Sequence, residues 1–266
     1  MIVGFLHPGM MGASLVAACG ADTVWASEGR SSATVERARS AGARDLGSVG
    51  SVLSEADVVV AICPPAAAEG LAERVASSGF DGVYVDANAI SPATSRAIGQ
   101  RFDRYVDGSV VGPPAWRNGT TRLYLSGDRA AEVAELWAGS VLDARAIEGG
   151  IGAASALKMA YASWTKIGGA MLLAIRALAT AEGVEDALVA EWDLSQPGLA
   201  ERSERTASGV GPKAWRFIGE MHQIADSFDA TGLPAGFAQA AAEVYERLAD
   251  LKGAEAPGLD EVLERM

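Results

Sequence analysis

The sequence is short of cysteine and of basic charge, and it has no long uninterrupted apolar run. Its two cysteines, Cys19 and Cys63, show neither ligand spacing nor the spacing of a disulfide framework. No metal site is therefore expected, and a reducing compartment is. The 22 Lys and Arg are outnumbered by 34 Asp and Glu, a formal net charge of -12, so the surface repels phosphate backbones and anionic lipid, and neither nucleic acid nor a membrane surface is expected as a partner. The basic residues Arg202, Arg205, Lys213 and Arg216 are interleaved with Glu201 and Glu204 and read as a solvated helical face. The longest apolar stretch, 170–181, is broken by Arg176 and falls short of the ~20 residues of a membrane span. A strand-like run follows Met1 directly, with no basic start and apolar leader before it, so no export signal is expected and the expected location is cytoplasmic.

What is present is the balance of a globular chain: 49% hydrophobic and 21% charged residues over 266 positions, enough for one large or two modest domains. Short Val- and Ile-rich runs at 2–6, 23–26, 57–62, 83–86, 105–111 and 123–125 alternate with amphipathic stretches. Unbroken apolar strand runs between helices imply a parallel sheet covered on both faces, an α/β Rossmann-type, doubly wound domain over 1–150. After Glu148-Gly149-Gly150 the strand signals stop, and 151–266 reads as an all-helical C-terminal domain with breaks at 196–198, 209–212 and 232–234. Residues 153–181 are expected to form one long helix with weak points at Gly168 and Gly169. No internal repeat is present.

The first strand leads into His7-Pro8-Gly9-Met10-Met11-Gly12 and then an alanine-rich helix. In this order Gly9 lets backbone approach a pyrophosphate, the amides of Met10 and Met11 point at it, and Gly12 lets helix and strand pack closely. His7 stands where the usual G-x-G-x-x-G has its first glycine, and reads equally as a packed turn residue or a cofactor contact. The second strand is followed by Ser27, Glu28, Arg30, Ser31 and Ser32. Ser27, Arg30 and Ser31 suit a 2′-phosphate, and so NADP, better than a bare ribose hydroxyl. Glu28 argues for NAD, and Ser31 or Ser32 also fits as a helix cap.

These residues resemble the β-hydroxyacid dehydrogenases, which include 6-phosphogluconate and 3-hydroxyisobutyrate dehydrogenases and the related imine reductases. Four stations carry the resemblance in order: the nucleotide loop from Gly4 to Gly12, the loop Cys63-Pro64-Pro65, the segment Asp86 to Pro92 with Asn88, and Asp107 to Pro114. The resemblance implies that Cys63, Pro64, Pro65 and Asn88 lie beside the nicotinamide, and that Ser109, Val110, Val111 and Gly112 correspond to the family's substrate-carboxylate loop. There Val111 replaces a serine and Pro113 a glycine, so a hydroxyl and an amide donor have no counterpart. The family's catalytic helix is similar to Gly149 through Ala162: Lys158 matches its lysine, whereas Ala162 stands at its asparagine and Tyr161 supplies a hydroxyl one position earlier.

Hydride delivery to a carbonyl needs a proton donor, and a lysine in an apolar helix face suits that task. The bland alternative is a snorkelling or ion-paired lysine. Lys158 is the expected proton donor, with Tyr161 as a second donor and Ser155, Ala162 and Thr165 on the same stripe. Trp215, Met221, His222, Phe228 and Phe237 read as core, surface or capping residues. The expected activity is reduction or oxidation at a carbonyl or alcohol of a small molecule. Imine reduction and a non-catalytic dinucleotide-binding regulator are the alternatives. The resemblance also implies a homodimer built on the long helix.

Overall fold

The computed structural model describes residues 1–266, which form two compact units, Met1–Met159 and Ala160–Met266. The division expected after residue 150 lies just before the helix that carries Lys158, and the units divide within that helix.

The first unit runs β1 (Ile2–Leu6), α1 (Met10–Ala18), β2 (Asp22–Trp25), α2 (Ser32–Ser40), β3 (Arg44–Asp45), α3 (Val49–Glu55), β4 (Val58–Ala61), α4 (Pro65–Ser77), β5 (Val83–Asp86), α5 (Pro92–Gly99), β6 (Tyr105–Val111), β7 (Arg122–Ser126), α6 (Ala130–Ala134) and β8 (Asp143–Ala146). The strands make one eight-stranded sheet in the order β3-β2-β1-β4-β5-β6-β7-β8. The chain reverses its direction of travel across the sheet between β1 and β4, and doubly wound sheets take their ligands at the carboxyl ends of the strands flanking such a point. Every residue of β4, β5 and β6 is buried, because helices cover both faces and leave no polar side to the sheet. One core cluster gathers Phe5, Leu15, Trp25, Val60, Leu123 and Trp137 on one face, and another gathers Leu6, Val59, Leu71, Tyr84 and Ile98 on the other.

Two features depart from the sequence reading. The sheet is not wholly parallel: β7 runs antiparallel to β6, pairing Asp107 with Ser126 and Val111 with Arg122. The edge strands β3 and β8 carry no apolar run, since Arg44-Asp45 is exposed and Asp143 to Ala146 is at most half-buried.

The stretch expected as one long helix is helical throughout, α7 (Ala153–Ala162) running into α8 (Gly168–Ala181) through a π-helical turn at Ser163–Ile167. The π turn ends directly at the glycine pair Gly168-Gly169, and within it the Thr165 hydroxyl donates to the carbonyls of Tyr161 and Ala162. The rest of the second unit is α9 (Glu185–Ser195), α10 (Leu199–Val210), α11 (Ala214–Asp229), α12 (Gly236–Arg247) and the short α13 (Leu259–Leu263). Met221 is buried as expected of a core residue, whereas Trp215 and Phe237 are exposed. Arg176, also buried, donates to Ser203 Oγ at 2.7 Å and pairs with Glu185, which supplies the counter-charge a buried guanidinium needs.

Candidate functional site

The turn from β1 into α1 is built as an anion cradle. Gly9 caps α1 without any side-chain hydrogen bond, and the first turn carries no acid. The first amides of the helix therefore meet no side-chain acceptor, at the positive end of the helix dipole. Space around Gly9 is open, whereas a Cβ on Gly12 would come within 2.8 Å of Ile62 Cγ2, so that glycine serves the close packing of helix on strand. Ser14 pins the neighbouring loop to the same helix: its hydroxyl donates to the Met11 carbonyl and accepts from the Ala115 amide, both at 2.8 Å.

At the end of β2 the residues expected to choose the nucleotide divide. Ser27 uses its amide to donate to Asp45 Oδ1 at 3.1 Å, and Ser31 caps α2 by accepting from the Thr34 amide. Arg30 reaches the cradle instead, donating from Nη1 to His7 Nδ1 at 2.7 Å. Neither His7 nor Arg30 announces this pairing in the sequence.

Cys63, Pro64 and Pro65 follow β4, with Pro64 capping α4 and Pro65 opening it. The Cys63 amide donates to Asn88 Oδ1 at 2.6 Å, which joins the loops after β4 and β5. Burial and the Asp86 charge push the Cys63 thiol up to about 12, so it is no nucleophile at neutral pH. Asn88 Nδ2 and Ser109 Oγ are buried without a protein partner. Orphaned donors near the carboxyl ends of β5 and β6, beside an uncapped helix start, fit a dinucleotide and a polar substrate group better than a closed structural core.

Asp86, which the sequence reading left without a role, is fully buried at the end of β5. Burial, with a smaller contribution from the Asp107 charge, raises its carboxyl from 3.8 to about 7. Between about pH 4 and pH 7 the unfolded chain has released this proton while the folded chain keeps it, so stability falls as pH rises through that window and levels off above it. Asp86→Asn preserves an acceptor for the Asn88 amide and removes the ionisation. It is expected to stabilise the protein more at pH 8 than at pH 5 in urea melts; equal effects at both pH values would contradict a raised carboxyl.

Lys158 is set by β6. The Asp107 carboxylate accepts from the Ser155 amide at 3.0 Å, the Ser155 hydroxyl at 2.6 Å and the Ser126 hydroxyl at 3.1 Å, and Ser126 Oγ accepts from the Ala154 amide at 3.0 Å. The first turn of α7 is thus locked to β6 and β7. One turn later Lys158 Nζ donates to the Val110 carbonyl at 2.9 Å, again on β6. The segment expected as a substrate loop is largely strand: Ser109, Val110 and Val111 are buried within β6, and the chain leaves the sheet only at Gly112. Gly112 has φ +124°, and a Cβ there would sit 2.3 Å from the Thr120 carbonyl oxygen, so glycine is required. Tyr161 is exposed, and Ala162 is buried where the resembling family has an asparagine. Asp107 entered the sequence reading only as the first residue of the segment resembling the family's substrate loop, with no role of its own, and Ser126 not at all; an Asp inside a Val-rich strand run was the available signal. No group of three or more His, Cys, Asp or Glu side chains is placed to hold a metal ion.

No curated protein sequence matches the chain. Residues 179–248 match DUF1932, a domain of unknown function. Among solved structures, a conserved protein of unknown function, described as structurally similar to 3-hydroxyacid dehydrogenases, is 27% identical over 94% of this chain and 98% of that one, with a TM-score of 0.74. The chain is thus similar in fold to the β-hydroxyacid dehydrogenase-like superfamily. Two other structures share this β-hydroxyacid dehydrogenase-like fold. One is the Mycobacterium tuberculosis 3-hydroxyisobutyrate dehydrogenase with L-serine, at 18% identity over 99% and 98% of the two chains and a TM-score of 0.70. The other is a variant imine reductase from Myxococcus stipitatus in complex with NAD+, at 18% identity over 99% and 98% and a TM-score of 0.54. No helix is long and apolar enough to cross a membrane.

Proposed function

We propose that this chain is a nicotinamide-dependent oxidoreductase that interconverts a carbonyl and an alcohol on a small molecule, with Lys158 as the proton donor and NADPH as the preferred nucleotide. One observation carries the reading: the helix start at Ser155 is tied to Asp107 and Lys158 Nζ to the Val110 carbonyl, both on β6, toward the carboxyl ends of the strands where the phosphate cradle and Asn88 also lie. In this reading Met10 and Met11 offer amides to the pyrophosphate, Arg30 meets the 2′-phosphate, and Asn88 with the Cys63-Pro64-Pro65 turn borders the nicotinamide. When bound, the nicotinamide supplies or accepts the hydride at the reacting carbon. Lys158 Nζ gives a proton to the substrate oxygen in reduction and recovers it in oxidation, and its bond to the Val110 carbonyl aims the ammonium. Tyr161 is the second donor of the proposal. Both cysteines are free, which accords with a cytosolic site of action.

The experiment is a fluorescence titration with NADPH and NADH, followed by a panel of ketones, 2-methyl-3-oxo acids and cyclic imines under saturating NADPH. Tight binding with turnover of a ketone or oxo acid is the expected result. Turnover confined to imines would move the activity to imine reduction, and binding with no turnover would make the chain a dinucleotide-responsive regulator.

The second unit carries the homodimer part of the proposal. Trp164 (67% exposed), Met171 (57%) and Leu178 (63%) recur at helical spacing, and beside them Met171 and Phe237 border an apolar groove of about 400 Å³. An exposed apolar stripe of this kind marks an interaction surface. Sedimentation is expected to give twice the 27.3 kDa chain mass; a 27.3 kDa species at micromolar concentration would rule the dimer out.

A further inference from the structure

His7 holds a backbone conformation that few side chains adopt, with φ +64°. For a residue bearing a Cβ this region costs roughly 1 kcal/mol or more, and it persists where the surroundings over-determine it. The turn is closed by the Gly9 amide donating to the His7 carbonyl at 2.7 Å. A glycine would satisfy that turn without strain, so the imidazole must be kept for something its ring does.

The ring meets Arg30. Because a guanidinium has only donors, the 2.7 Å contact from Arg30 Nη1 fixes Nδ1 of His7 as the acceptor and leaves the ring proton on Nε2. Burial, Arg30 and Arg74 together push the imidazole down to about 4, so it stays neutral and able to accept at physiological pH. On its other side Arg30 Nε donates to the Glu28 carbonyl at 3.2 Å. The guanidinium is thus gripped at Nε by its own loop and at Nη1 by the phosphate turn, with Nη2 left for another acceptor. A free arginine side chain gives up about 2 kcal/mol of rotamer freedom when it is immobilised. Here two hydrogen bonds hold the side chain before any ligand arrives, and preorganisation of this kind raises affinity.

We propose that His7 is a specificity-determining positioning residue, whose Nδ1 holds Arg30 ready for the 2′-phosphate of the nucleotide's adenosine and so sets the preference for NADPH over NADH. The proposal rests on the reading of the cradle as a dinucleotide site. It assigns to the position of the missing motif glycine a task that glycine cannot perform.

The test is a set of fluorescence titrations of wild type, His7→Gly, Arg30→Ala and the double variant with NADPH and with NADH, alongside urea unfolding. In His7→Gly the Kd for NADPH is expected to rise about tenfold while that for NADH holds, and the unfolding midpoint is expected to stay or rise because the strain is gone. In the Arg30→Ala background His7→Gly should have no further effect on NADPH. His7→Asn, which tolerates the same backbone region and offers an acceptor oxygen, should recover part of the preference. An equal weakening of both nucleotides in His7→Gly, or none in either, would overturn the role of His7 while the dinucleotide reading stands. Wild-type protein that binds neither nucleotide would overturn the reading and this proposal together.

Discussion

Lys158→Ala is expected to lower turnover by ~10²- to 10⁴-fold, the usual contribution of a positioned proton donor, and to leave NADPH affinity nearly intact. The split follows from the geometry. The cradle at Gly9 to Met11 and the Arg30 grip are built from other residues, whereas the amine, tied to the Val110 carbonyl, is the proton donor of the proposal. Lys158→Arg separates the two things a lysine could do. Arginine keeps the positive charge but does not surrender its proton at working pH, so the arginine variant is expected to be as slow as the alanine one if proton transfer is the task. Stopped-flow measurement of NADPH oxidation at saturating substrate reads the effect. Wild-type turnover in Lys158→Ala would remove this residue from the mechanism, and near-wild-type turnover in Lys158→Arg would leave it only an electrostatic part.

Asp107→Ala is expected to cost about 3 kcal/mol of unfolding free energy and to depress turnover in the protein that remains folded. The carboxylate is fully buried and takes three hydrogen bonds from Ser126 and Ser155, so its loss strands those donors in a dry interior. It also frees the first turn of α7, and with it the register that brings Lys158 to Val110. Ser126→Ala, which removes one hydroxyl that donates to Asp107 and accepts from Ala154, should cost nearer 1 kcal/mol. Urea unfolding followed by circular dichroism measures both. A loss below 1 kcal/mol in Asp107→Ala would show that the clamp does not hold the helix, and undiminished turnover would show that Lys158 is positioned by Val110 alone.

Much of the first unit is legible in the linear sequence because its central strands are covered on both faces. Ile2 to Leu6, Val58 to Ala61 and Val83 to Val85 have no charged residue at any step, and such runs announce themselves. The edge strands lack that signal. Arg44-Asp45 and Asp143 to Ala146 join the sheet through backbone pairing with β2 and β7, and their side chains face water or its border, so composition there carries no strand pattern. The antiparallel turn of β7 is equally silent, since the direction of a strand leaves no mark on which of its residues are buried. In the second unit, the helical periodicity is plain, but nothing in it announces the π-helical turn at Ser163–Ile167.

For the candidate site, Gly9 and Gly12 stand out from the strand-turn-helix order alone, because close backbone approach demands glycine there, whereas Asn88 and Lys158 were proposed from the resemblance. The partners of the site residues could not be read from the sequence. His7 meets Arg30, Cys63 meets Asn88 and Asp107 meets Ser155 across 23, 25 and 48 positions of chain. Residue type tells what a group can donate or accept; only the winding of the sheet, which brings the ends of β1, β2, β4, β5 and β6 to one edge, decides which groups come within hydrogen-bonding distance.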